Sequence, residues 1–168
     1  GVLAALSCAH ARGIVHRDLK PENVILLETS SGEFHPKLVD FGVAHIRGTD
    51  PASEDPSTIV GTPAYMSPEQ GRGLHGRISG QSDLYSLGVM LYQMLAGTLP
   101  FRLGTAYSML LAHATQTPKP FEERIARNLP RGLSDIVFGM LEKESHARPL
   151  FAADVRFALR YEPGAPLQ

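Results

Sequence analysis

This sequence has little of what marks several common classes of protein. Cys8 is its one cysteine among 168 residues, so a disulfide within the chain and a cysteine-rich zinc site are excluded. This cysteine content fits a reducing compartment, and we expect the cytoplasm. Lysine and arginine number 16 against 17 for aspartate and glutamate, which gives a net charge of −1, and neither sign forms a long run. We therefore expect no nucleic-acid partner.

The sequence also lacks a long hydrophobic run. Its most apolar stretch, residues 84–96, is interrupted by Ser86, Gly88 and Gln93 and is too short to cross a bilayer. No charged and then apolar signal segment opens the chain. We expect a soluble segment that does not insert into a membrane. Because Gly1 already lies in a helical pattern, we also expect the chain to be part of a longer protein.

The apolar residues that are present, 43% of the chain, suffice for one core. Their spacing predicts a helix that ends near Arg12 with Gly13 after it. It also predicts a helix over residues 83–97, with Ser82 as its N-cap and Gly97 at its end. This second helix is apolar around much of its surface, which favours a place in the middle of the fold. Further helices are predicted over residues 105–115, 133–142 and 152–160.

Two short runs of β-branched residues and leucine predict a hairpin. Its strands are residues 24–27 and 37–39, with a polar turn between them and closure near Pro36. Residues 42–80 are rich in Gly, Pro, Ser and Thr and predict a long loop. In a compact domain, a loop of this length indicates a functional segment.

Three short motifs occur in a fixed order along the chain. Residues 16–23 read HRDLKPEN, residues 40–42 read DFG and residues 67–69 read SPE. Together they resemble the catalytic loop, the metal-binding motif and the end of the activation segment of eukaryotic-type protein kinases. Lys20 makes the first motif similar to that of serine/threonine kinases. Gln70, which follows the third motif, resembles their bacterial branch.

The chemistry of these residue types agrees with the resemblance. Phosphoryl transfer needs neutralised phosphate charge and an aligned hydroxyl, and Asn23 and Asp40 offer the hard oxygen ligands that Mg²⁺ prefers. Asn23 directly precedes one predicted strand and Asp40 directly follows the other, so antiparallel pairing brings them to one edge. An isolated aspartate in a loop is more often a turn residue, and only the joint pattern favours catalysis.

The resemblance implies a role for each residue of the first two motifs that touches substrate or cofactor. Asp18 would accept the proton of the substrate hydroxyl, Lys20 would meet the transferred phosphate, and Ile25 would pack beneath the adenine unless it is an ordinary core residue. The implied metal ligands are Asn23 and Asp40. The implied contacts with ATP are those of Lys20, Glu22, Asn23, Ile25 and Asp40.

Two threonines of the long loop resemble functional threonines of the family. Thr62 would reach Asp18 and Lys20 and help to choose a serine or threonine acceptor, the alternative being an ordinary turn residue. Thr58 would be phosphorylated and pair with Arg17, which otherwise only neutralises nearby carboxylates. Competing phosphorylation sites are Ser57, Ser53 and Thr49.

Other residues resemble structural members of the family. Glu69 and Arg148 would form an ion pair between the activation-segment end and the last helices. Asp83 would bond the catalytic-loop backbone, which overlaps with a simple cap of its own helix. The remaining implied structural residues are His16, Arg17, Phe41 and Gly42, with His16 and Phe41 in the core. The other histidines are expected to be solvated or locally bonded, without a transition-metal site.

The family's amino-terminal lobe has no counterpart here, since no glycine-rich loop and no phosphate-gripping strand lysine precede the catalytic-loop motif, and the one G-x-G-x-x-G, residues 71–76, follows all three motifs. The resemblance therefore predicts an α+β, mostly α-helical fold, the carboxy-terminal kinase lobe over residues 1–161, with a small β-hairpin and a central buried helix. Residues 162–168 would be a tail or linker. The missing lobe becomes an expected partner in the longer protein, and without it apolar surface is exposed.

The implied function is a protein serine/threonine kinase that uses ATP and Mg²⁺ on protein substrates. We expect the isolated chain to have no appreciable activity, because half of the phosphate clamp is missing. A non-catalytic kinase-like binding or regulatory fragment is therefore the alternative. A small-molecule phosphotransferase is a third possibility, against which Pro21, Glu22 and the long loop favour protein substrates.

Overall fold

The computed structural model describes residues 1–41, 62–101 and 104–160. This part of the chain is mostly helical, with one two-stranded antiparallel sheet. The helices are α1 (Val2–His10), α2 (Pro68–Gly71), α3 (Gly80–Ala96), α4 (Ala106–Thr115), α5 (Glu123–Ala126), α6 (Leu133–Met140) and α7 (Ala152–Arg160). Short 3₁₀ turns occupy Pro21–Asn23, Pro63–Tyr65, His75–Arg77 and Ser145–Ala147. None of the helices in these ranges is long and apolar enough to cross a bilayer.

The hairpin is longer than its sequence predicted. Strand β1 (Val24–Glu28) pairs with β2 (Phe34–Leu38), so β2 begins before Pro36 and contains it. Pro36 lies opposite Leu26, one position away from the bonded pairs, and in a sheet of two strands its nitrogen faces the open edge. A proline is tolerated there because no ladder hydrogen bond is lost.

The predicted loop over residues 42–80 contains short helical segments in the part that the structure describes. Residues 63–65 form a 3₁₀ turn, α2 follows, and residues 75–77 form a second turn. A proline opens each of the first two, and proline suits the first helical position because its nitrogen needs no partner there. The sequence also gave no signal for α5, which is four residues long.

Helix α3 begins three residues earlier than predicted, and its N-cap is Ser79 in place of Ser82. Ser79 Oγ accepts from Gln81 N at 3.3 Å, while Ser82 Oγ accepts from Ser79 N at 3.1 Å. The two serines therefore form a reciprocal capping box. At the other end, Gly97 adopts φ 73° and closes the helix, as glycine does without a steric penalty.

The core surrounds α3, in which every residue from 82 to 90 is buried. Helix α6 packs on one side of α3, and α1 packs on both α7 and β2. The close approach of α3 and α6 requires Gly88, since a Cβ at this position would lie 2.9 Å from Met140 Cβ. The largest fully buried side chains of the core include Tyr85, Leu6, Leu19, Leu84, Met140 and Leu141.

Candidate active site

The catalytic-loop motif is held by the amino-terminal turn of α3. Asp83, which is 1% exposed, accepts hydrogen bonds from His16 N at 2.8 Å and Arg17 N at 2.9 Å. Arg17 adopts φ 68°, the left-handed region that costs a non-glycine residue about 1–2 kcal/mol. The two bonds from the loop to one carboxylate hold this backbone in place. The structure therefore forms the contact that the resemblance implied for Asp83.

A further hydrogen-bond partner of the Asp83 carboxylate was not predicted from the sequence. His10 Nε2 lies 2.8 Å from Asp83 Oδ2, although the sequence predicted a solvated or locally bonded histidine. Gly80 makes room for the imidazole, because a Cβ there would come within 2.7 Å of His10 Nδ1. The contact joins α1 to α3 across 73 residues, and a spacing of that length carries no local sequence signal.

His16 and Phe41 pack together as predicted core residues of the motif. Their ring centroids lie 4.7 Å apart, and His16 is fully buried while Phe41 is half-buried. His16 Nε2 lies 3.0 Å from the carbonyl oxygen of Val39, which can only accept, so Nε2 carries the proton. This bond fastens the catalytic loop to the end of β2.

The side chains of the catalytic loop form a polar cluster that is open to solvent. Lys20 Nζ donates to Asp18 Oδ2 at 2.7 Å and to Thr62 Oγ1 at 3.2 Å. Asn23 Nδ2 donates to the carbonyl oxygen of Asp18 at 2.7 Å. The side chains of Asp18 and Lys20 are 27% and 21% exposed. The structure thus brings Asp18, Lys20, Asn23 and Thr62 together, with Asn23 buried and the other three partly exposed.

The two predicted metal ligands lie at adjacent ends of the hairpin. Val39 N donates to the carbonyl oxygen of Asn23 at 3.1 Å, which places Asp40, the next residue, beside Asn23. Asp40 is exposed and adopts φ 58°. Because the Asn23 amide nitrogen is used on Asp18, its Oδ1 is the atom left for a cation.

The donor set at this edge fits Mg²⁺ in chemistry. An amide oxygen and carboxylates are hard oxygen donors, and Mg²⁺ completes its octahedral shell with waters and phosphate oxygens. In the described ranges, no group of three or more His, Cys, Asp or Glu is arranged to hold a metal by itself. Asn23 and Asp40 would supply only part of the coordination shell.

The remaining sequence-predicted residues of the cofactor site have different surroundings. Ile25 in β1 is 45% exposed, so it is a surface residue of the hairpin in this chain. Glu22 is exposed in the turn before β1. Gly42 and Thr58 lie outside the described residues.

The implied ion pair between Glu69 and Arg148 is present and buried. Arg148 Nη1 and Nη2 donate to Glu69 Oε1 and Oε2 at 2.8 and 2.9 Å, and Ser82 Oγ donates to Oε1 at 2.6 Å. Burial alone would raise the pKa of Glu69, but the hydrogen bonds from Arg148 and Ser82 outweigh it and hold this pKa below its ordinary value. The pair fastens α2 to the chain just before α7.

His113 is the clearest correction to the expected histidines. It is buried in α4, where its Nε2 lies 3.0 Å from Ala64 O and its Nδ1 lies 2.9 Å from the Tyr85 hydroxyl. The carbonyl can only accept, so Nε2 is protonated and the Tyr85 hydroxyl donates to Nδ1. Burial, together with the charge of Lys143, lowers the pKa of His113 to about 4. The histidine is thus a neutral packing residue beneath the 3₁₀ turn of residues 63–65.

Gln70 makes a contact at the site that the motifs did not predict. Its amide nitrogen donates to the carbonyl oxygen of Arg17 at 2.6 Å, across from α2 to the catalytic loop. The sequence indicated only that Gln70 follows the third motif. The spacing of Ser67 and Gln70 fits a capping box. The sequence could therefore predict the helix cap but not the contact with Arg17.

Comparison with known proteins agrees with this geometry. The family model described as protein kinase domain matches residues 1–156. The serine/threonine-protein kinase pkn2 of Myxococcus xanthus is 41% identical over 158 residues, which cover 92% of this chain and 19% of that protein. PkaA of Streptomyces coelicolor is 35% identical, and the match covers 98% of this chain and 33% of PkaA. PknB of Mycobacterium tuberculosis is 35% identical, and the match covers 96% of this chain and 25% of PknB. Both are likewise named serine/threonine-protein kinases.

The family match covers most of the chain, and the chain belongs to the protein kinase family. Its relatives are serine/threonine protein kinases of bacteria. The chain spans between 19% and 33% of the lengths of the three relatives described.

Proposed function

We propose that the chain is the carboxy-terminal lobe of a serine/threonine protein kinase, which transfers the γ-phosphate of ATP to hydroxyls of protein substrates. The observation that carries the proposal is the solvent-open cluster in which Lys20 contacts both Asp18 and Thr62. A base, a cation and a hydroxyl-bearing residue thus share one small surface region. The exposed Asp40 at the neighbouring hairpin end adds the carboxylate that a metal-bound nucleotide requires.

Each residue of the cluster has a defined task in this proposal. Bound ATP with Mg²⁺ would supply the transferable phosphoryl group, held by Asn23 and Asp40. Asp18 accepts the proton of the substrate hydroxyl, and Lys20 balances negative charge that develops beside it. The bond from Asn23 to the Asp18 carbonyl fixes the distance between the proton acceptor and the metal-binding edge.

The experiment is phosphate transfer by the full-length gene product, followed with labelled ATP and a basic protein substrate. Asp18→Asn should lower turnover by about 10²- to 10⁴-fold, because it removes a proton acceptor, while nucleotide affinity stays close to that of the wild type. Asp40→Asn should instead weaken binding of the magnesium nucleotide. A wild-type protein that binds substrate but transfers no phosphate would support the non-catalytic alternative.

The proposal includes the division of the chain into a lobe over residues 1–161 and a tail over residues 162–168, with an amino-terminal lobe elsewhere in the protein. The small number of cysteines supports a cytoplasmic place for this lobe. The exposed apolar residues of the hairpin support a covering lobe, since β1 has three successive exposed apolar positions, Ile25, Leu26 and Leu27.

Thr62 is proposed to help select serine or threonine as the acceptor. Its hydroxyl already bonds Lys20, so it lies where an acceptor side chain would approach Asp18. Matched serine, threonine and tyrosine peptides test this role, and a preference for tyrosine would contradict it.

Thr58 is proposed as the activating phosphorylation site, with Arg17 as its cation. Arg17 lies directly before Asp18, and its guanidinium can bind a phosphate bidentately. Mass spectrometry of the active protein and comparison of Thr58→Ala, Arg17→Ala and the double variant test the pairing. A shared contact predicts that the double variant is little worse than either single variant.

A further inference from the structure

The amide of Gln70 joins two segments of the site that are distant in sequence. Its Nε2 donates to the carbonyl oxygen of Arg17, 53 residues earlier, at 2.6 Å. Its Oε1 accepts from Ser67 N at 3.1 Å and from Ser67 Oγ at 2.9 Å. One side chain therefore caps the first turn of α2 and also contacts the catalytic loop.

The two partners of Gln70 determine which side chain can stand there. A backbone N–H such as that of Ser67 can only donate, and a carbonyl such as that of Arg17 can only accept. The side chain between them must accept at one atom and donate at another. An amide does both, an ionised carboxylate only accepts, and an aliphatic side chain does neither.

The carbonyl of Arg17 is part of the peptide group that directly precedes Asp18. On the other side of the same residue, Arg17 N donates to Asp83 Oδ1 at 2.9 Å, and the backbone between these two bonds is left-handed, with φ 68°. Both polar groups of the Arg17 main chain are therefore held from outside the loop. Helix α3 holds the amide, and α2 holds the carbonyl.

We propose that Gln70 is a positioning residue for phosphoryl transfer, which fixes the peptide before Asp18 only when α2 is docked on the catalytic loop. This inference rests on the proposed function, because it assigns the effect of Gln70 to the catalytic Asp18. The end of the activation segment and the orientation of the proton acceptor are coupled through one amide.

The decisive variant is Gln70→Glu in the full-length gene product. The carboxylate keeps an acceptor for Ser67 but loses the donor to Arg17, so kcat at pH 8 should fall about tenfold while the KM for ATP stays within about twofold. As the pH is lowered towards 5.5, the protonated fraction of the carboxyl rises, because the carbonyl oxygen of Arg17 beside it disfavours the ionised form, and the protonated form can donate again. The ratio of wild-type to variant kcat should therefore shrink.

Two further variants separate this role from that of the helix cap. Ser67→Ala removes one partner of the cap but leaves the Gln70 bond to Arg17, so its kcat should stay within about twofold of the wild type. Gln70→Met has no donor and no ionisable group, and its kcat should fall like that of Gln70→Glu without recovery at low pH. Equal losses in Ser67→Ala and Gln70→Glu, or a Gln70→Glu loss that does not change with pH, would overturn the proposal.

Hydrogen exchange of the peptide that covers residues 14–20 gives a readout that does not depend on activity. The amides of His16 and Arg17 should exchange faster in Gln70→Met than in Ser67→Ala, because the Arg17 main chain loses one of the two contacts that hold it from outside the loop. If the wild-type protein transfers no phosphate, the proposed function fails and the exchange rates still test the contact. Equal exchange in the two variants would show that Gln70 does not hold the loop.

Discussion

At the scale of single residues, His113 links the packing of α4 to pH. Its ring accepts a hydrogen bond from the Tyr85 hydroxyl and donates one to the carbonyl of Ala64, an arrangement that only the neutral imidazole can make. Protonation would break the bond from Tyr85 and place a charge near Lys143. The fold therefore prefers the neutral ring.

This preference predicts loss of stability in mild acid. The pKa of His113 is about 4 in the folded protein and 6.5 in its ordinary state, so the unfolded chain binds more protons between these pH values. The stability that His113 contributes is fully present above pH 6.5 and is lost as the pH falls towards 4, by on the order of 3 kcal/mol. The free energy of unfolding, measured with urea over this pH range, should depend less on pH in His113→Gln than in the wild type. Equal slopes in the two proteins would contradict the assignment.

The closeness of the catalytic-loop residues could be predicted from sequence because they are near neighbours along the chain. Asp18, Lys20 and Asn23 lie within six positions of each other, so local chain geometry keeps them together. His10 and Gln70 were missed because their partners, Asp83 and Arg17, are 73 and 53 residues away. Only the folded chain shows which polar groups meet over such distances.

At the scale of elements, Gly88 in α3 and Gly139 in α6 have opposite surroundings. A Cβ at Gly88 would lie 2.9 Å from Met140 Cβ, whereas a Cβ at Gly139 would meet no atom within 4 Å. Both residues lie inside helices, where alanine is favoured over glycine by about 1 kcal/mol. Sterics and helix propensity therefore oppose each other only at Gly88.

The matched pair of substitutions separates the two effects. Gly88→Ala should lower the free energy of unfolding by about 1–3 kcal/mol, because the clash is with a Cβ atom that moves only if the helix moves. Gly139→Ala should raise it by about 0.5–1 kcal/mol. Thermal unfolding of both variants beside the wild type is the measurement. Stabilisation by Gly88→Ala would show that the two helices can separate at little cost.

The start of α3 shows where sequence reasoning about elements falls short. The apolar pattern begins at Leu84, which made Ser82 the expected cap. Gly80 and Gln81 add no apolar signal, although they are helical in the structure. Ser79 and Ser82 stand three positions apart and both suit a cap, so the local sequence does not choose between them.

At the scale of the whole molecule, the hairpin presents apolar surface that the described part of the chain leaves exposed. Leu26 and Phe34 are 61% and 62% exposed, and a hairpin of two strands is marginally stable without packing on a face. The proposed amino-terminal lobe would cover this region.

The isolated chain should therefore show no phosphate transfer and should bind a hydrophobic dye. Substitution of Leu26 and Phe34 together by serine should reduce dye fluorescence clearly, because the two exposed side chains belong to one patch. Met94→Ser is the matched control, since Met94 is 76% exposed in α3, outside the hairpin. Equal reduction by the control, or transfer of phosphate by the isolated chain, would contradict this view of the surface.

The buried pair of Glu69 and Arg148 also affects the kinetics of folding and unfolding. Its partners are 79 residues apart, and closing a loop of this length costs entropy that only a nearly complete fold repays. We therefore expect the pair to form after the transition state for folding. Glu69→Gln should then speed unfolding roughly 10²-fold and leave the folding rate almost unchanged.

Stopped-flow urea jumps measure both rates. Glu144→Gln serves as the control, because Glu144 pairs with Arg72 at 3.9 Å in an exposed position where little stability is at stake. If Glu69→Gln instead slowed folding by the roughly 10²-fold expected for unfolding, the pair would belong to the folding nucleus. If the expectation holds, the ion pair lengthens the time that each molecule stays folded between openings, and a protease that cuts faster than the chain refolds then cuts it less often.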